Sequence, residues 1–327
     1  MSDATAKKLI SIIGPMYNEA ELVQTFCDEV IACFSAVREH YDFELVLVDD
    51  GSTDDTLAQM YKARERYPNE ITLVQLSRNF GLEGAVSAGL KTASGDAVIV
   101  MDADLQDPPA VALTMVNAWE NGADIVVGSR GERPNDSFFK RAGASAFYKL
   151  LDSLSGKLKL EPEAANFRLL DRKAVDKLLA LPEVNGVFRV VVPFLGMKTE
   201  VVSYARDKRF AGETKYRLSA MIRYALDSLT GISVEPLRKV PIACAATFLL
   251  SLGFFISLFF ASVHWQPALL VCALMSALFS LLFLVLSLMS EYLGQVYTEV
   301  KGRPTSVIYQ TIPSESARAK AAQKDNV

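Results

Sequence analysis

Histidine, tryptophan and cysteine are scarce: the 327 residues include 2 His, 2 Trp and 4 Cys. Cys27, Cys33, Cys244 and Cys272 show no CxxC spacing, so neither a zinc site nor a disulfide framework is indicated; they read as core or lipid-facing residues. Neither the GxGxxG dinucleotide fingerprint nor the GxxxxGK[ST] phosphate loop occurs. Positive charge is not in excess. Thirty-four Lys and Arg face 38 Asp and Glu, for a net charge of -4, which argues against nucleic acid as the main partner. The opening MSDATAKKLISIIGPMYNEA is not a secretory signal, because its apolar run is short and stops at Pro15, Asn18 and Glu19 without a cleavage site. No internal repeat or low-complexity tract is present.

Charge is also missing locally. Val240 to Val263 and Ala268 to Ser290 contain no charged residue, and each is long enough to cross about 30 Å of hydrocarbon. They account for a composition that is 50% hydrophobic, with a mean hydropathy of +0.20. The alternative is a buried helical hairpin in a soluble core. The linker His264 to Pro267 lacks Lys and Arg, whereas Arg238 and Lys239 precede the first stretch and Lys301 and Arg303 follow the second. A transmembrane hairpin with both chain ends cytoplasmic follows from that asymmetry.

From Leu9 to Gly128, short apolar runs alternate with helical patterns: LISIIGP, FELVLVD, ITLVQLS, AVIVMD and DIVVGS are the strands. Helices are expected at 21–39, 55–67, 84–92 and 108–121. Near-continuous apolar strands separated by helices predict an α/β fold with a mostly parallel sheet covered on both faces. Beyond Arg130 the pattern gives way to a polar, basic loop, and FRLLDRKAVDKLLALP reads as a strand feeding a helix. Leu218 to Leu229 is amphipathic and reads as a juxtamembrane helix or a helix packed on the domain. The tail after Pro304 is expected to fray.

Ligands of open α/β sheets bind outside the carboxyl ends of the strands. There the sequence places Tyr17, Asn18 and Glu19, then Asp49 and Asp50, Arg78, Asp102 and Asp104, and Arg130. Asp102 and Asp104, two apart and without a nearby His or Cys, are hard oxygen donors suited to Mg²⁺ or Mn²⁺ completed by substrate phosphates and water. An isolated DxD is a weak motif, and the case rests on the set. Asp107, before Pro108, reads as a helix N-cap rather than a ligand, and Asp54 and Asp55 as caps.

Taken together, PMYNEA, VDDGSTDDT, LSRNFG, DADLQDPP, NFRLLDRK, RFAGETKY and EYLGQVYTEVKGRP resemble the inverting family-two glycosyltransferases of the GT-A fold. The resemblance is to the membrane-anchored polyprenyl-phosphate branch, which includes dolichol-phosphate mannose synthases and bactoprenol glucosyl transferases. It implies a cytoplasmic GT-A domain over 1–210, a basic loop and juxtamembrane helix over 211–239, a transmembrane hairpin over 240–290 and a cytoplasmic tail over 291–327. Pro15, Tyr17, Asn18, Glu19, Asp49, Asp50, Arg78 and Asp102 would hold the nucleotide. Asp102 and Asp104, with Gln106 as a third ligand, would hold Mg²⁺ or Mn²⁺. Arg130, Arg133, Arg206, Arg209 and Lys215 would meet the diphosphate or the lipid phosphate, or else anchor the chain to anionic lipid. Asp104, Arg209, Lys215 and Asn166 would carry the chemistry, although relatives often have Asp where this chain has Asn166.

The implied reaction moves one sugar from a nucleotide sugar, UDP-glucose foremost, to undecaprenyl phosphate at the cytoplasmic face of the bacterial inner membrane. Other expected donors are GDP-mannose, a UDP-N-acetylhexosamine and UDP-4-amino-4-deoxyarabinose; an inactive membrane adaptor is the distant alternative. A homo-oligomer is a further expectation, since some relatives form tetramers. A processive synthase is disfavoured by the lack of a QxxRW motif.

Overall fold

The computed structural model describes residues 7–130, 164–181, 188–204 and 266–318, together with Leu249. Strands β1 (Lys8–Met16), β2 (Tyr41–Asp49), β3 (Ile71–Leu76), β4 (Ala97–Val100) and β5 (Ile125–Arg130) alternate with helices α1 (Val23–Ser35), α2 (Thr56–Arg66), α3 (Leu82–Thr92) and α4 (Pro109–Glu120). Then come β6 (Ala164–Asp171), α5 (Arg172–Leu179), α6 (Phe188–Phe194), β7 (Thr199–Tyr204), the long α7 (Gln266–Lys301) and β8 (Ile308–Ile312).

The eight strands form one sheet in the order β7-β5-β6-β4-β1-β2-β3-β8. Strands β1, β2, β3 and β4 are mutually parallel, as are β5 and β7, whereas β6 and β8 run antiparallel to their neighbours. The mostly parallel α/β fold expected from the apolar runs is present. Its strands bury both faces: Ile12, Leu45, Leu47 and Ile99 pack towards α1 and α4, while Ile13, Val46, Val48 and Val98 pack towards α3. Helix α1, within the expected 21–39, turns a stripe of Phe26, Val30 and Phe34 into the core, all fully buried.

The tail after Pro304 departs from expectation. Over its described residues, 304–318, it adds β8 to the sheet rather than fraying, with Thr311 opposite Val74 and Gln310 opposite Gln75; 319–327 lie outside the described residues. Beyond the strand, Ser314 is buried and its amide donates to Thr72 Oγ1 at 3.0 Å, while Arg64 Nη2 donates to the Pro313 carbonyl at 2.8 Å. The sequence concealed this because β8 is exposed on both faces, so backbone pairing rather than an apolar stripe holds it.

Residues 304–318 belong to the same compact unit as the sheet, and α7 belongs to a second unit. Helix α7 contains 36 residues, about 54 Å at 1.5 Å per residue, and continues past Ser290 to Lys301. Its stretch Ala277–Lys301 is long and apolar enough to cross a membrane, the one such helix among the described residues. The first expected span, Val240 to Val263, and the juxtamembrane helix lie outside the described residues, Leu249 excepted.

Candidate active site

Because β1 to β5 and β7 point one way and β6 and β8 the other, the carboxyl ends of the first set meet the amino ends of the second on one edge. The edge is built from interlocked turns. After β1, Asn18 takes a left-handed conformation (φ 54°). Its amide donates to Ser52 Oγ at 3.0 Å and its Oδ1 accepts from the Thr53 amide at 2.8 Å, while the Glu19 amide donates to Thr56 Oγ1 at 2.8 Å. The turn after β1 is thus bolted to the turn after β2, and Tyr17 is left 41% exposed above them. Pro15 lies inside β1 opposite Val48 and is buried in the sheet.

The turn after β2 is bolted in turn to the one after β3. Asp50 accepts from the Phe80 amide at 2.7 Å, the Gly81 amide at 2.9 Å and Asn79 Nδ2 at 3.0 Å. Asp49, also buried, accepts from the Ser52 amide at 3.1 Å. Gly51 sits between them at φ +66°, and a Cβ there would lie 2.4 Å from the Arg78 carbonyl carbon and 2.6 Å from the Asn79 nitrogen. Arg78 itself is exposed, its guanidinium 4.1 Å from the Phe80 ring centroid.

Burial pushes the Asp50 carboxyl up to about 6; the Phe80 and Gly81 amides oppose the rise, the charge on Asp49 adds to it, and Arg78 counters it. A carboxyl whose folded pKa exceeds its unfolded value of about 3.9 contributes stability that is present below that value and is lost as pH rises through the folded pKa. The Tm difference between wild type and Asp50→Asn is therefore expected to be largest near pH 4 and to narrow by pH 7. A gap that widens with pH would contradict this assignment.

The segment after β4 has a different character. Met101, Ala103 and Leu105 are buried, while Asp102 and Asp104 between them are half-buried, so the two carboxylates share the outward side as the DxD spacing predicts. Leu105 adopts φ 53°, a left-handed conformation that costs a branched side chain roughly 1–2 kcal/mol. Gln106 is 9% exposed; its amide donates to Asp104 Oδ1 at 3.2 Å, and its Oε1 is buried without a hydrogen-bond partner among the described residues. Such orphaned acceptors are uncommon in folded proteins.

Asp107 corrects the sequence reading. Pro108, not Asp107, occupies the N-cap of α4, and Pro109 is the first helical residue. The fully buried Asp107 carboxylate instead accepts the Tyr204 hydroxyl at the end of β7. Of the other two expected caps, Asp54 accepts from the Thr56 amide at 3.0 Å, whereas Asp55 occupies the N-cap without a side-chain bond.

Strand β6 brings Asn166 to the same place. Val100 pairs with Arg168; Asp102 lies two residues beyond the one and Asn166 two residues before the other, so both leave the pair on this edge. Side chains alternate, with Val98, Val100 and Leu170 on the α3 face and Ile99, Phe167 and Leu169 on the other. Asp102 and Asn166 therefore share the α3 face. Asn166 Oδ1 is buried and, like Gln106 Oε1, has no hydrogen-bond partner among the described residues. Sequence reasoning missed Arg168 on that face, 2% exposed, which donates to the Phe188 carbonyl at 3.4 Å.

No group of three or more His, Cys, Asp or Glu able to hold a metal occurs among the described residues. Two carboxylates and an unpartnered amide oxygen fit a hard divalent cation whose remaining ligands come from phosphate and water, rather than a closed protein cage. Arg130 contributes its backbone to the end of β5; its side chain, and Arg133, Arg206, Arg209 and Lys215, lie outside the described residues. The larger of the two described clefts, about 170 Å³, lies at the opposite edge beside Leu9, Asp42 and Glu44, away from every candidate residue.

Residues 11–179, more than half the chain, match Glycosyl transferase family 2. The chain belongs to this family. As a family 2 glycosyltransferase it is 35% identical over 310 residues to the SfII prophage-derived bactoprenol glucosyl transferase of Shigella flexneri, covering 91% of this chain and 97% of that one. It is 33% identical over 318 residues to the glycosyltransferase YkcC of Bacillus subtilis, covering 94% and 95%. Glucosyl-3-phosphoglycerate synthase from Mycobacterium tuberculosis, solved with Mn²⁺, UDP and its glucosyl product, is similar in fold: TM-score 0.50, 21% identity, 69% of this chain and 80% of that one. The sheet of this family 2 enzyme is accordingly of the GT-A type.

Proposed function

We propose that the enzyme transfers a single sugar, glucose from UDP-glucose foremost, to undecaprenyl phosphate at the cytoplasmic face of the bacterial inner membrane. The observation that carries this reading is the edge itself. Half-buried Asp102 and Asp104 beside the orphaned Gln106 Oε1 suit a metal-bound diphosphate, next to turns rigid enough to hold a nucleotide. The bactoprenol relatives supply the acceptor class.

A lipid phosphate oxygen attacks the anomeric carbon in line; the new carbon–oxygen bond forms as the bond to the donor diphosphate breaks, and the anomeric configuration inverts. A phosphate monoester has its second pKa near about 6, so the acceptor is mostly dianionic at pH 7 and needs no protein base. That frees Asn166 from the base role its relatives suggest and leaves its amide to hydrogen-bond a phosphate or sugar oxygen. Asp102, Asp104 and Gln106 would hold Mg²⁺ or Mn²⁺, which when bound neutralises charge gathering on the departing diphosphate. Arg130, Arg133, Arg206, Arg209 and Lys215 would share that task with the cation, and Tyr17 and Arg78 would flank the nucleotide.

Chain parity supports the hairpin. Strand β7 before the apolar region and β8 after it lie in one sheet, so a chain that crosses the bilayer between Tyr204 and Ile308 crosses it an even number of times. With α7 as one crossing, Val240 to Val263 supplies the other. Exposed Phe283, Leu284 and Met289 on α7, at 63%, 66% and 53%, suit lipid contact better than a protein core.

The test offers purified protein labelled UDP-glucose, GDP-mannose, UDP-N-acetylhexosamines and UDP-4-amino-4-deoxyarabinose, each with undecaprenyl phosphate and Mg²⁺ or Mn²⁺. One donor, UDP-glucose, is expected to label the organic phase. Label from another donor moves the sugar assignment, and label from none removes the lipid-acceptor reading.

A further inference from the structure

Tyr204 joins three elements of the active edge. Its backbone ends β7 in register with Arg130. Its ring meets Phe167 edge-on, with centroids 5.7 Å apart and planes at 88°, and Phe167 is fully buried next to Asn166. Its hydroxyl donates to Asp107, which closes the segment holding Asp102, Asp104 and Gln106. Asp107 is followed by Pro108 and Pro109, whose rings fix φ, so the chain beyond it is stiff. Before it stands Leu105, buried and held at φ 53°, a conformation that persists only where the surroundings over-determine it.

We infer that Tyr204 is a positioning residue: through Asp107 its hydroxyl fixes the acidic segment in the strained form that aims Asp104 and Gln106 at a divalent cation. The inference rests on the metal-dependent transfer proposed above. Four residues separate Val100, locked in β4, from Leu105, and only Gln106 separates Leu105 from Asp107. With the far end pinned, the left-handed turn at Leu105 is the geometry that closes the segment. Without the hydroxyl the segment loses that restraint, and Leu105 and Gln106 shift with it. A merely structural Tyr204 would affect folding and leave cation binding alone.

The experiment uses full-length protein in detergent and titrates Mn²⁺ in the presence of UDP or GDP, alongside steady-state transfer and thermal melting. Tyr204→Phe keeps the ring against Phe167 and removes the hydroxyl. Its Mn²⁺ dissociation constant is expected to rise about tenfold or more, as for other groups that orient metal ligands. At saturating Mn²⁺, kcat stays within about threefold of wild type, because the loss is in binding. The double variant Tyr204→Phe/Asp107→Asn replaces the buried carboxyl that has lost the Tyr204 hydroxyl with a neutral amide; it is expected to recover Tm relative to Tyr204→Phe while still binding Mn²⁺ weakly. It also serves as the reading should the single variant not fold. Wild-type Mn²⁺ affinity in Tyr204→Phe, or affinity restored together with Tm in the double variant, overturns the inference. If wild-type protein itself binds no Mn²⁺ with either nucleotide, the metal reading and this inference fail together.

Discussion

Asp104→Ala is expected to lower kcat/KM roughly 10³-fold, the scale on which removing a single charge-stabilising group acts in enzymes of this kind. The carboxylate is half-buried outside the core, and its Oδ1 accepts from the Gln106 backbone amide of the same segment at 3.2 Å. Stability is therefore expected to change by less than about 1 kcal/mol, as for substitutions away from the core. The two readings separate the site from the scaffold: transfer collapses while the melting curve stays in place. Asp107→Ala should lower the melting temperature as well, since that carboxylate is fully buried and holds the Tyr204 hydroxyl, and should weaken cation binding with it. Full activity in Asp104→Ala would place the cation elsewhere.

Gly51→Ala should have the largest effect on the proposed nucleotide edge. Its Cβ would meet backbone atoms of Arg78 and Asn79 at 2.4, 2.6 and 2.8 Å, at a φ of +66°. Backbone cannot swing aside as a side chain can, so the turn after β3 must move, and it carries the three donors that Asp50 receives from Asn79, Phe80 and Gly81. A loss of about 3–5 kcal/mol follows, read as a fall in Tm on the order of 10 °C with nucleotide binding abolished. Gly81 is the control. It also has positive φ, +83°, with ψ 170°, but nothing lies within 4 Å of its missing Cβ, so Gly81→Ala should cost only the backbone strain, about 1–3 kcal/mol. Equal effects at both positions would mean that strain, not the close approach of the two turns, makes Gly51 necessary.

The parallel half of the sheet was legible because each of its strands is an apolar run flanked by helical periodicity, and that alone put Asp49, Asp102 and Asp104 on one edge. Strand β6 was read as a strand from its sequence, but its antiparallel insertion between β4 and β5 was not. Asn166 reaches the level of Asp102 only through that register, which local patterning does not encode. Strand β8 escaped notice because it buries neither face. The Asp50 lock is formed with residues about thirty positions away, and Gly51 is needed because of a neighbour equally distant in sequence. Asp107 was misassigned because Pro108 and Pro109 offer two frames for the start of α4, and the frame is decided by Tyr204, nearly one hundred residues on. The orphaned oxygens of Gln106 and Asn166 are properties of burial, invisible until the chain is folded.

Product analysis decides whether the enzyme performs a single inverting transfer to a polyprenyl phosphate. Undecaprenyl phosphate, the donor sugar nucleotide and Mg²⁺ or Mn²⁺ are incubated with the enzyme, the lipid is extracted for mass and anomeric configuration, and released nucleoside diphosphate is counted. The expected product is the lipid phosphate carrying one sugar, with its anomeric configuration opposite to the donor's and one diphosphate released per lipid. Lipid bearing several sugars, retained configuration, or diphosphate released without labelled lipid would contradict it.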